Sequence, residues 1–295
     1  MTRRATIFAE LHRRPRMHSA LLLAPAAGWL LVFFAVPLGI MATYAFRPRH
    51  ILGGVYPGWT SIYVQRLADP IYLEVLARSV MLSGVATVLA LAISYPIALV
   101  IVRATRWRPF LLLLVVLPFW TSFLVRTYAM IFVLRDTGPI NQLLQFLGIV
   151  HEPVRMLYTQ GAVLFGLVTG FVPFMVLPIY SSLEKLDPAL LEAAESLGAT
   201  SWRRFLRVVL PLTRPGVIAG SLLVFIPSLG SFLTSDLLGG ARVELIGNLV
   251  QNQFTTARNW PFGSALSLLL LLVVLAGVIL QVAWPRSDQS AEPLP

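Results

Sequence analysis

The side chains in this sequence that could do chemistry are few, and their usual combinations are missing. There is no cysteine, so disulfides, thiolate metal sites and cysteine nucleophiles are excluded. The histidines at 12, 18, 50 and 151 have no ligand-like spacing, and no Ser/His/Asp arrangement emerges by position. The single lysine, Lys185, is followed by Leu186, whereas a phosphate-binding loop needs Gly-Lys-Ser/Thr. Any ATP-driven work must therefore fall to another chain. No catalytic residue, bound cofactor or metal is expected here. What remains is one carboxylate in an apolar stretch, Asp236, and aromatic faces at Phe119, Trp120 and Tyr128. A carboxylate at the membrane centre costs roughly 2.5–3.5 kcal/mol and faces water or a partner. Asp236 can attract a cation, and the rings offer cation–π faces. Their plainer roles are an interfacial helix end for Asp236 and boundary packing for the rings.

Such groups need a membrane scaffold. The chain has 295 residues, of which 57% are hydrophobic and 12% charged, against about 25% charged in soluble domains. A membrane helix needs about 20 apolar residues. Six segments qualify, at 20–46, 77–102, 109–134, 158–181, 215–238 and 262–284. The reading is an all-α membrane protein of six transmembrane helices. A basic N-terminal arm (1–19) precedes a six-span domain (20–284), and a short tail (285–295) follows. The first segment is too long for the 7–15-residue core of a cleaved signal and reads as a retained anchor. Interior prolines such as Pro96, Pro118, Pro173 and Pro227 predict kinks.

Lys and Arg set the orientation. The arm, the 103–108 loop, the 182–214 loop and the tail hold fourteen, the opposite loops together with Arg78 at the edge of the second span hold eight, and Arg126 lies within a span. This predicts both termini and the 182–214 loop on the cytoplasmic side of the membrane. At 1.5 Å per residue Arg126 falls roughly 25 Å along its span, near the outer boundary. It reads as structural, paired with an acidic residue of a partner subunit. Asp69 and Asp136 fall in outer loops, where they read as solvated charge or as contacts for a solute-binding protein.

The 182–214 loop has its own architecture. Asp187 can cap a helix that Pro188 begins, and Gly198 suits a left-handed stop. Thr200 or Ser201 can cap a second helix that Pro211 ends. Leu190, Ala194 and Leu197 share a side of the first helix, and Arg203, Arg204 and Arg207 make the second basic. Tethering at both ends leaves no room for a nucleic-acid duplex, so no nucleic-acid partner is expected.

Within this loop Glu192-Ala193-Ala194, Gly198 and Leu210-Pro211 fall at the spacing of the EAA loop of binding-protein-dependent ABC importers, with Val208 where Ile is usual. The chain therefore resembles the permease subunits of that family, which implies the type I ABC importer permease fold. The resemblance implies that this loop is a coupling helix docked on a separate ABC ATPase dimer, with ATP and Mg on that partner. Glu192, Ala193, Ala194 and Gly198 would form the docking turn, with Leu210 and Pro211 completing the motif. It also implies a second permease subunit, a heterodimer being expected, a solute-binding protein, and a peripheral first span. Pro118–Tyr128 and Asp236–Ala241 resemble the spermidine/putrescine branch, as do Ile246-Gly247-Asn248 and Asn259–Gly263. That makes a polyamine the expected solute and Trp120, Tyr128 and Asp236 the candidate pathway residues. The alternatives are a permease of the same family for another small solute, an ion-coupled carrier, or a membrane scaffold.

Overall fold

In lipid a backbone must satisfy its own hydrogen bonds, so long runs of Leu, Val, Ala and Ile become helices. The computed structural model describes residues 15–283, and helix dominates them. Most of the basic arm and all of the tail lie outside the described residues. The chain starts with α1 (Pro15–Ala45), whose Leu23–Ala45 portion is long and apolar enough to cross a membrane. A loop with the short α2 (Ile62–Arg66) leads to the second crossing, α3 (Pro70–Arg103).

The third crossing differs from the single helix expected at 109–134. α4 (Arg108–Val116) tightens into a 3-10 turn, Leu117–Trp120, and the chain then bends by 95° into α5 (Phe123–Leu134) and α6 (Pro139–Phe146). Pro118 lacks a donor, and Thr121 and Ser122 are extended, so the helix must restart. The fourth crossing, α7 (Gln160–Glu184), absorbs Pro173 and Pro178 without a break.

α8 (Pro188–Ser196) and α9 (Ser201–Leu212) form the hairpin expected outside the bundle. The helix does not end at Pro211. It widens into a π turn over Phe205–Val209, runs to Leu212, and bends by 67° into α10 (Arg214–Leu229). In a regular helix Pro211 would collide with the Arg207 carbonyl and offer it no hydrogen bond. The wider turn just ahead of Pro211 is a known response to such strain.

The fifth crossing is also broken, against the expectation of a continuous helix to 238. α10 stops at Gly230, Ser231 is extended, and the chain restarts as α11, Phe232–Thr234 continued by a wide turn Ser235–Gly239. It then dips back so that α12 (Ile246–Thr255) begins beside the break, before α13 (Trp260–Ala283) makes the last crossing. Counting each bent pair as one crossing gives six.

α3, α7 and α10 pack together as the centre of the bundle. Lipid tails are as apolar as leucine, so helices associate through close packing of small residues. α3 buries Ser79, Ser83, Ala86, Ala90, Ser94 and Ala98 along one stripe. A Cβ on Gly216 would sit 2.5 Å from the Pro178 carbonyl, and one on Gly220 would sit 2.7 Å from the Met175 sulfur. α1 packs on α13, and its apolar window buries nothing else, which makes the first span peripheral as the resemblance implies.

Candidate functional site: an end hairpin and two broken helices

The hairpin is built by local capping. Asp187 accepts from the Ala189 amide (2.9 Å), and Thr200 accepts from Arg203 (3.4 Å). Gly198 has φ +76°, and the amides of Gly198 and Ala199 close the helix end on the carbonyls of Glu195 (2.8 Å) and Ala194 (3.0 Å). A Glu195–Arg204 ion pair of 2.5 Å joins the two arms. Glu192, Ala193 and Gly198 are exposed and Ala194 half-buried. Beside them Leu190, Leu197 (87% exposed) and Trp202 project from both arms. These large side chains form a bare apolar patch beyond the end of the bundle. Leu210 and Pro211 do not belong to it: Leu210 packs on the core and Pro211 lies at the hairpin's base.

The base is anchored. The bend residue Thr213, fully buried, shares a 2.7 Å hydrogen bond with the Tyr95 hydroxyl, and Phe205 meets the Tyr95 ring edge-on at 5.3 Å. Arg108 pairs with Glu184 at 2.9 Å, joining the start of α4 to the end of α7. Hairpin motion therefore has a polar link into α3 and a backbone link into α10. Neither Tyr95–Thr213 nor Arg108–Glu184 was singled out from the sequence as a pair.

The two broken crossings meet half-way along α7. Phe119 packs on Phe174 (4.7 Å) and Phe123 lies 6.3 Å from Phe171. Across a cavity of about 250 Å³ Phe123 and Phe171 face Gly230, Ser231 and Phe232 of the other break. Gly247 at the start of α12 approaches the Gly230 carbonyl so closely that a Cβ would sit 2.8 Å from it. Asn248 then closes a polar clasp. Its amide donates to the Phe232 carbonyl (3.0 Å) and to Asp236, and its oxygen accepts from the Leu245 amide (3.2 Å). Ser79 of α3 accepts from Ile246 (2.8 Å).

Asp236 is thus exposed but tethered, on the half of the broken crossing that follows Ser231. Trp120 (78% exposed) and Tyr128 (54%) stand on the third crossing, and no hydrogen bond or ring contact joins them to Asp236 among the described residues. Arg126 lies on α5, past the bend in the third crossing. The bend places it one turn beyond the break, its guanidinium 5.7 Å from the Phe123 ring centre, with Nε and Nη1 buried and without hydrogen-bond partners. A fixed cation there removes that face of Phe123 from any incoming ammonium.

Residues 35–287 match the family described as the binding-protein-dependent transport system inner membrane component. The chain belongs to that family. It is 43% identical to the spermidine/putrescine transport system permease protein PotB of Escherichia coli K12, over 88% of this chain and 94% of that one. It is 45% identical to the PotB of Haemophilus influenzae, over 83% and 86%. Its fold is that of a solved bacterial alginate ABC transporter in complex with a periplasmic protein bound to an alginate pentasaccharide (TM-score 0.71, 19% identity, covering 93% and 95%). The type I permease fold therefore holds for this multi-pass chain. Since that neighbour imports an anionic sugar, the fold does not fix the solute's charge.

Proposed function

We propose that this chain is the membrane-spanning subunit of an ATP-driven importer for a polyamine, spermidine or putrescine. The observation that carries it is the 43–45% identity, along most of the chain, to permeases that bear those names. The hairpin supports the mechanism. Its bare Leu190, Leu197 and Trp202, next to Glu192, Ala193 and Gly198, form the face that docks on an ABC ATPase dimer, and that dimer holds ATP and Mg. Closure of the dimer pushes the hairpin, and the Thr213–Tyr95 link carries the push into α3 and α10. The excess of Lys and Arg supports placing the hairpin and both termini in the cytoplasm.

A second, different permease subunit completes the pathway, and a solute-binding protein delivers the polyamine outside. Asp236 supplies negative charge on the outer half of the route, while Trp120 and Tyr128 contribute faces toward the second subunit or the solute. The test is uptake of labelled spermidine and putrescine in cells that lack this chain and any parallel polyamine system. Loss of uptake, restored by the wild-type chain, supports the reading. Unchanged polyamine uptake with loss of another solute's uptake would assign the chain to that solute.

A further inference from the structure

At the end of the bundle opposite the hairpin lies a second, larger cavity, of about 620 Å³. The length of α7, 25 residues, separates the two ends by roughly 37 Å at 1.5 Å per residue. Three arginines, Arg135, Arg155 and Arg242, line this cavity with one carboxylate, Asp136. None of the three makes an ion pair within 4.0 Å among the described residues.

The site is held in place by buried groups. Asn141 is fully buried, and its side chain bonds the Arg135 carbonyl (3.2 Å) and both the carbonyl (3.0 Å) and amide (2.9 Å) of Val154. One amide thus fixes the backbone that presents Arg135 and Arg155. Tyr158 forms part of the wall with φ +60°, a strained value for a residue with a Cβ. Its amide donates to Leu238 of the broken fifth crossing (2.8 Å), and its ring covers Gly240, where a Cβ would sit 2.7 Å from the ring. Leu238 is itself fully buried, seated on Gly166. The cavity wall is therefore attached to the second half of the broken fifth crossing.

A cluster of arginines is a poor lining for a polycation's path. It suits carboxylates, which a guanidinium fork binds in a bidentate manner. A protein that captures a polycation needs an acidic cleft, and the rim of such a cleft complements an arginine-lined opening in charge. We infer that this cavity receives acidic side chains of the solute-binding protein, with Arg135, Arg155 and Arg242 as their partners. Through Tyr158 and Leu238 the docked protein then bears on the broken fifth crossing. This rests on the polyamine reading and on the hairpin end being cytoplasmic.

The test measures association of the cognate solute-binding protein with the complete complex in nanodiscs of zwitterionic lipid, directly and not through ATP hydrolysis. Arg155→Glu/Arg242→Glu should weaken binding about tenfold or more, since like charges brought together at an interface are strongly disfavoured. The Lys variants, which keep the charge but lose the fork, should bind more weakly than the wild type and more tightly than the Glu variant, and Asp136→Asn should bind slightly tighter. The wild type should lose affinity with salt more steeply than the double Glu variant. Basal ATP hydrolysis, unchanged in each variant, shows that the complex is intact. Equal affinity of wild type and double variant overturns the inference, as does an effect that appears only when anionic lipid is added. Polyamine-stimulated ATP hydrolysis by the wild type is scored separately. Its absence counts against the polyamine reading, whereas its presence with unaltered docking in the variants removes only the role of the cavity.

Discussion

Single positions in this chain separate backbone requirements from contact requirements. At Gly198 an added Cβ meets open space, yet φ is +76°, so the cost inside this subunit is only the left-handed backbone, roughly 1–2 kcal/mol. Gly198→Asp is expected to assemble in the membrane but to lose coupling, because the side chain now occupies the space where another surface must approach. Gly198→Ala, which carries the left-handed cost with little added bulk, separates the two causes: retained transport would assign the loss in Gly198→Asp to its side chain and not to the backbone. Asn248 shows the reverse pattern. It is buried, and Asn248→Leu strands the Phe232 carbonyl and the Leu245 amide, at about 1–3 kcal/mol for each buried group left unsatisfied. A lowered thermal midpoint of the purified complex checks this. Asp236→Asn keeps an oxygen for the clasp and removes the charge. The midpoint should hold while the polyamine concentration for half-maximal uptake rises a few-fold, in keeping with about 0.5–1 kcal/mol for an exposed charge. The sequence made Asp236 visible as a lone acid in an apolar run. It did not show its tie to Asn248, because the two meet only after the chain doubles back.

At the scale of elements, hydropathy located all six crossings but not their shapes. A window of apolar residues averages over Pro118-Phe119-Trp120-Thr121-Ser122 and over Gly230-Ser231, so both breaks read as continuous helix. The prolines signalled kinks, yet Pro173 and Pro178 leave α7 unbroken while Pro118 precedes a 95° bend. Neighbouring residues decide the difference: extended Thr121 and Ser122 end one helix, and Val172 and its neighbours continue the other. A length counted along one straight helix also takes no account of the bend ahead of Arg126. The hairpin was the most legible element, since Asp187-Pro188, Gly198 and Thr200 are local signals that need no tertiary context. Its anchorage was not legible, because Tyr95 and Thr213 are 118 residues apart. Tyr95→Phe removes that bond, worth about 0.5–1.5 kcal/mol net. The expected result is a complex that still hydrolyses ATP but moves less polyamine per ATP, read by parallel uptake and phosphate-release assays.

For the whole molecule, the arrangement is a lever between two faces. One end presents a bare, capped hairpin, the other an arginine-lined cavity, and between them two broken crossings meet on α7 at a small aromatic cavity. α3 and α7, packed on each other and on α10, form the frame between these parts. The most direct test is transport by proteoliposomes that hold this chain, the second permease and the ATPase, with binding protein on one face and ATP on the hairpin's face. The account predicts that labelled spermidine accumulates only with both ATP and binding protein, and that Gly198→Asp abolishes accumulation in a fully assembled complex. Accumulation without the ATPase, or undiminished accumulation by Gly198→Asp, would contradict it.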